Sequence, residues 1–161
     1  MNTFVKGISV ALLLVVSAAA GFFAYKSTQY DFKTLDNSTY RWADLDDSWV
    51  IVNYFAPWCA PCLREMPELN ALSQQLPANT HLFAINYDAQ TLEQMQEMKM
   101  RFSIELPLIV SEPNTQLPME KPPYLPATFI IGPSGKVVDT VLGEVSAGML
   151  KERLAKLKNA S

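Results

Sequence analysis

Histidine occurs once and cysteine twice in these 161 residues, and both scarcities exclude chemistry from the outset. A closed tetrahedral zinc site takes four ligands, mostly Cys and His, so a single copy of this chain is not expected to build one, and no metal site is expected. There is no Cys-x-x-Cys-His run, so covalent haem attachment is not indicated. Charge of either sign is modest, with a net of -3, which gives no reason to expect nucleic acid as a partner. No internal repeat is visible. The sole histidine, His81, heads the strand-like run Leu82 to Asn86 and reads as structural or surface rather than as a ligand.

What remains is concentrated in two places. The first is Phe55-Ala56-Pro57-Trp58-Cys59-Ala60-Pro61-Cys62, which holds both cysteines. Two thiols separated by two residues can close a disulfide across one helical turn, and no other Cys competes for pairing. A β-type run, Trp49 to Phe55, precedes the pair and a helical run, Leu63 to Leu76, follows it. A structural staple usually bridges distant segments. One that closes so short a loop removes little chain entropy, so this placement suits reactivity better.

The second place is the N-terminus. Lys6 is followed by an uncharged stretch from Gly7 to Tyr25, which Lys26 closes. The stretch is near the lower limit of about 17–25 residues for a transmembrane helix. It also reads as a secretory signal, with Ile8 to Val16 as apolar core and Ala18-Ala19-Ala20 as cleavage site. Phe22, Phe23 and Tyr25 carry apolar character past that site and favour an uncleaved anchor. Either reading exports the domain. No Cys lies near the end of the stretch, so lipid attachment there is excluded.

The expected organisation is therefore an N-terminal membrane anchor or signal segment over 1–25, a linker and first strand over 26–38, and a folded domain over 39–161. Tyr30, Phe32 and Leu35 alternate like a half-buried strand, and Asp36-Asn37-Ser38 is a turn signal. Strands are expected over 49–55, 82–86 and 106–110, with helices over 60–76 and 91–102 between them and a predicted kink at Pro67. A hairpin around Pro133-Ser134-Gly135 joins strands 127–131 and 136–142. A final helix spans 147–157, with Ser146 as N-cap. The order β-α-β-α-β, hairpin, helix is an α/β sandwich with a mixed central sheet flanked by helices. Five prolines between Ser111 and Pro126 make that stretch a surface loop.

A thiolate is the nucleophile in dithiol chemistry, and free Cys titrates near about pH 8.5. Cys59 falls at the start of the helix, where unpaired N–H groups and the helix dipole favour a negative sulfur. It is the expected attacking thiol. Cys62, one turn further in, is the expected resolving thiol. Pro61 stiffens the helix start, and Ala60 adds no charge. Trp58 is a candidate for the surface that receives the partner. The redox-active pair is the only cofactor-like element expected.

Trp58-Cys59-Ala60-Pro61-Cys62, Pro67, the step Leu125-Pro126-Ala127-Thr128 and Val141-Leu142-Gly143 together resemble the thioredoxin superfamily. The run Cys59 to Pro67 is similar to its membrane-anchored TlpA/ResA-like branch. The resemblance covers roughly residues 30–158 and implies a thioredoxin-like fold in which Pro126 is a cis-proline facing the cysteines. By the same resemblance Leu125 presents backbone to the substrate peptide, and Glu65 matches an acidic residue kept near the dithiol. There a carboxylate would raise the thiol pKa or relay a proton; as a plain helix residue it would be a solvated charge. Asn53 stands where thioredoxin has a buried Asp, which fits the anchored branch.

The resemblance implies a thiol–disulfide oxidoreductase, single-pass in a bacterial cytoplasmic membrane with its catalytic domain facing the periplasm or cell exterior. It would reduce disulfides of exported proteins, for example in cytochrome c maturation or copper-site assembly, and be re-reduced by a DsbD-type membrane electron donor. Three other readings stand beside it. The first is an oxidant or isomerase; Ala60-Pro61 lacks the positive charge or His that would stabilise a reduced thiolate. The second is a Cu(I) carrier using the cysteines with Met66, Met95, Met98 and Met100, although methionines at helical spacing more often fill a core. The third is an interaction domain without turnover, which the intact cysteine pair argues against.

Overall fold

The structure is a computed structural model and describes residues 12–22 and 29–160. The chain divides into two compact units, Met1–Tyr30 and Asp31–Ser161.

In the first unit, a helix (α1) is described over residues 12–22. At about 1.5 Å per residue this stretch rises roughly 16 Å, about half of a hydrocarbon core near 30 Å. No helix among the described residues is long and apolar enough to cross a membrane. The expectation of a transmembrane helix, and with it the single-pass placement in a bacterial cytoplasmic membrane, is corrected on this ground. The rest of the expected 1–25 segment, residues 1–11 and 23–25, lies outside the described residues.

The second unit is built on a five-stranded sheet of order β5-β4-β3-β6-β7. Its strands are β3 (Trp49–Phe55), β4 (Thr80–Asn86), β5 (Leu108–Ile109), β6 (Ala127–Ile131) and β7 (Val137–Leu142). β3, β4 and β5 run parallel, whereas β6 pairs antiparallel with both β3 and β7. The sheet is therefore mixed, as the element order predicts. A small antiparallel pair, β1 (Phe32–Lys33) and β2 (Thr39–Tyr40), lies outside the main sheet. The expected strand around 30–35 is cut to two residues because the chain turns at once: the Thr34 N–H donates to the Ser38 carbonyl at 2.9 Å, and Asn37 takes φ 65°. β1 belongs to the unit Asp31–Ser161.

Every residue of β3 is buried, as a central strand covered on both faces requires. Side chains alternate across it. Val50, Val52 and Tyr54 join one core cluster with Phe32, Phe83, Ile85 and Phe129. Ile51 and Phe55 join a second, with Met66, Leu69 and Leu72 of helix α2 (Ala60–Ser73), Met95 and Met98 of α3 (Leu92–Arg101) and Leu150 of α4 (Ala147–Ala160), and Trp49 joins a third with Ile130 and Leu154. Asn53 has the parity of Ile51 and Phe55, so it points to the face covered by α2.

The helices carry the expected end signals. Thr91 and Gln94 form a reciprocal capping box on α3, with Lys99 and Arg101 in its last turn, complementing the helix dipole. The Ser146 hydroxyl accepts from the Met149 N–H at 3.2 Å. α2 runs unbroken through Pro67 to Ser73. His81 lies within β4 rather than ahead of it, half-buried, with its ring stacked on Phe83 at 6.2 Å. The hairpin turn is closed by the Gly135 N–H donating to the Gly132 carbonyl at 2.9 Å.

Candidate active site

β3, the central strand, ends at Phe55, and after a short turn Cys59 becomes the N-cap of α2. Its backbone is extended, with φ -89° and ψ 94°, and its sulfur accepts from the Cys62 N–H at 3.3 Å. A helix has unpaired N–H groups in its first turn, and here one of them is aimed at Cys59 Sγ. Pro61 occupies a position whose N–H would be unpaired in any case. Cys59 and Cys62 are joined as a disulfide with Cα atoms 5.3 Å apart. Cys62 is fully buried and Cys59 is 5% exposed. Ala60 is exposed and Pro61 half-buried beside them.

One turn beyond Cys62 lies Glu65, and it is not a solvated helix charge: it is 1% exposed. Glu65 Oε1 accepts from Asn53 Nδ2 at 2.7 Å, and Oε2 accepts from the Val145 N–H at 2.8 Å. The same Asn53 amide nitrogen reaches Thr128 Oγ1 at 3.1 Å, because Asn53 and Thr128 are paired in register across β3 and β6. Burial pushes the Glu65 carboxyl up from 4.5 to about 7; the Val145 N–H and Asn53 amide pull the other way, and the nearby Glu144 carboxylate adds to the rise. Asn53 Oδ1 is buried without a hydrogen-bond partner, so this network is tight but incomplete.

The peptide bond between Leu125 and Pro126 is cis, as the resemblance implies. Pro126 is buried and its carbonyl accepts from the Gly143 N–H at 2.8 Å. Gly143 takes φ +109°, a region that L side chains rarely adopt. Leu125 packs against the core cluster that contains both cysteines. Trp58 does not pack at the strand end: it is 64% exposed. Its indole N–H donates to Asp88 Oδ2 at 2.6 Å, and its ring meets Tyr87 edge-on at 6.2 Å.

The structure therefore gathers Trp58, Ala60, Pro61, the two cysteines and Glu65 at one strand–helix junction, with Leu125 against the same cluster. Sequence reasoning did not foresee Asn53, Thr128 and Val145 as partners of Glu65, nor Tyr87 and Asp88 as partners of Trp58. An Asn inside the otherwise apolar run of β3 was the one visible signal. Met66, Met95 and Met98 are buried in the core cluster that contains both cysteines, whereas Met100 is exposed on the helix that carries Met95 and Met98.

A vicinal dithiol capping a helix on this sheet, with a cis-proline leading into the neighbouring strand, defines a thioredoxin-fold thiol–disulfide oxidoreductase. The chain belongs to the AhpC/TSA family, whose sequence profile matches residues 24–140. It is 29% identical over 164 aligned positions to the thiol-disulfide oxidoreductase ResA of Geobacillus thermodenitrificans, spanning 93% of this chain and 94% of that protein. The fold is similar to that of the pneumococcal exposed lipoprotein thioredoxin of Streptococcus pneumoniae, with a TM-score of 0.69 at 19% identity over 79% of this chain and 98% of that one. StoA of Bacillus subtilis gives a TM-score of 0.65 at 17% identity, over 76% of this chain and 93% of that one.

Proposed function

We propose that the protein reduces disulfides in exported client proteins, where disulfides form and persist. Cys59, as thiolate, attacks a client disulfide and displaces one client sulfur as a thiolate that takes up a proton. Cys62 then loses its proton and attacks Cys59 Sγ, which releases the second client sulfur. Two electrons pass to the client, and the protein is left with the Cys59–Cys62 bond seen in the structure. A dithiol donor of the DsbD type restores the reduced pair. Apocytochrome c haem-site cysteines and the dithiol of a copper-delivery protein are candidate clients. Trp58, Ala60, Leu125 and Pro126 form the client-facing surface, and Pro61 fixes the turn.

The observation that carries the reductive direction is the buried Glu65, three residues after Cys62 on the same helix. A strong oxidant stabilises its reduced thiolate. A desolvated carboxylate one turn away does the reverse, raising thiol pKa values by like-charge repulsion. When neutral, it has returned a proton to the site, and its ionised form is the base that can take one from Cys62. The reduction potential of the pair, measured in dithiothreitol or glutathione buffers, tests the direction. A value near or below about −250 mV is expected. A value near about −120 mV, in the range of a strong disulfide-forming oxidant, overturns it in favour of the oxidant reading.

A further inference from the structure

The Pro-rich stretch that leads to Pro126 is fastened unevenly. Its first part is tied down by hydrogen bonds: the Gln116 N–H donates to the Asp31 carbonyl at 2.6 Å, Trp42 Nε1 donates to the Gln116 carbonyl at 2.9 Å, and Thr115 Oγ1 donates to the Val110 carbonyl at 2.9 Å. Among the described residues, no hydrogen bond is made by 117–125. That part is held by the packing of Leu117, Met119 and Leu125 against the core and by one directed contact. The Lys121 ammonium sits 3.6 Å from the centroid of the Tyr87 ring, well inside the roughly 6 Å within which a cation is attracted to an aromatic face.

Tyr87 is a junction. It follows β4 directly, its N–H donates to the Phe55 carbonyl at 2.7 Å, and its ring meets the Trp58 indole at 6.2 Å. Trp58 is in turn held by Asp88. A continuous set of contacts, Asp88 to Trp58 to Tyr87 to Lys121, thus joins the residue before Cys59 to the segment that ends in Leu125-Pro126. Tyr87 and Leu125 both pack against the cluster that contains the cysteines.

We infer that Lys121 is a positioning residue for protein substrates: by seating on Tyr87 it holds the approach to Pro126 at a set separation from Trp58, and so sets the width of the groove a client chain enters. The role acts through Tyr87 and not through the dithiol. It matters for an extended peptide that must lie between the two segments, and it is irrelevant to a small disulfide that meets Cys59 alone. The inference rests on the protein-disulfide reading of the preceding section.

The test measures initial rates against insulin as protein disulfide, with dithiothreitol as electron source, and against 5,5′-dithiobis(2-nitrobenzoic acid) as small disulfide, using the full chain. Lys121→Met is expected to raise KM for insulin about two- to fivefold, the weight of a partly exposed cation–π contact, with kcat and the small-disulfide rate unchanged. Tyr87→Leu should raise KM alike, and the double variant should be no worse than either single one. Lys121→Arg and Tyr87→Phe should stay near wild type, since both keep a cation over a ring.

An unchanged KM in Lys121→Met overturns the inference. So does a raised KM in Lys121→Met with none in Tyr87→Leu, which would mean that Lys121 meets charge on the client directly. A parallel fall in the small-disulfide rate also overturns it, by placing the effect at the dithiol. Absence of all activity in the wild type would instead refute the oxidoreductase reading on which the inference stands.

Discussion

Replacing Glu65 by Gln should change how stability depends on pH more than it changes stability itself. The carboxyl ionises near 4.5 in an unfolded chain and, pushed up mainly by burial, near 7 in the folded one. Between those values the folded state keeps a proton that the unfolded state has released. Stability contributed by this group is therefore fully present below about 4.5 and is lost as pH rises through about 7. At about 1.4 kcal/mol per pKa unit the loss is roughly 3 kcal/mol, a large share of the 5–15 kcal/mol that typically holds a domain together. The amide introduced by Glu65→Gln cannot ionise and shows no such loss.

That amide has a defect of its own. Two donors, Asn53 Nδ2 and the Val145 N–H, point at the two oxygens of Glu65, and a glutamine side chain offers one oxygen. One buried donor loses its partner, at a cost of about 1–3 kcal/mol. Near pH 5 the variant should thus be less stable than wild type, and above about pH 8 the gap should close or reverse. Urea unfolding of the oxidised chain at several pH values measures this, and the difference between the two proteins isolates Glu65. His81, whose pKa burial lowers, weakens the fold as pH falls and runs in the opposite sense, but equally in both proteins. Asp36, beside the Thr34 hydroxyl, and Asp44, beside the Arg41 guanidinium, titrate lower still. A wild-type-minus-variant difference that stays constant from about pH 5 to about pH 8.5 would refute the reasoning, because the buried group would not be titrating in that range.

The same Glu65→Gln change should lower the pH at which the reduced cysteines ionise, read as thiolate absorbance, because a like charge is removed from their surroundings; an unchanged titration would mean that Glu65 acts only through packing. Cys59→Ala should abolish turnover even with a small disulfide, since the thiol that remains, Cys62, is fully buried. Cys62→Ala should accumulate mixed disulfides between Cys59 and client proteins, visible on non-reducing gels and identifiable by mass; none appearing where wild type is active would contradict the two-step exchange. Asn53→Leu should destabilise by about 1–3 kcal/mol, because it strips a donor from a buried carboxylate, and should push the Glu65 titration further up, detectable as a later onset of the pH-dependent loss.

The order of elements along the chain and the cysteine pair were legible because each leaves a local trace. β3 is a seven-residue buried run, α2 starts inside a proline-bearing cysteine pair, and the hairpin carries its own turn residues. The cis peptide at Pro126 left no trace that physics alone could read, since cis is a small minority of X–Pro bonds; the resemblance supplied it. The state of Glu65 was unreadable for a different reason. On its helix Glu65 is equally compatible with a solvated face, and what decides is whether a polar residue of β3, 12 positions earlier, and a loop N–H, 80 positions later, come to meet it. Such a site is written in pairs of residues distant in sequence, each ordinary by itself. Asn53 in an apolar strand was the half that showed: a buried amide must find a partner or cost stability, and a carboxyl on the facing helix is the partner it found. The contact of Lys121 with Tyr87 is of the same kind. A lysine in a Pro-rich loop signals nothing, and only the return of that loop to the ring after β4 links it, through Tyr87, to Trp58.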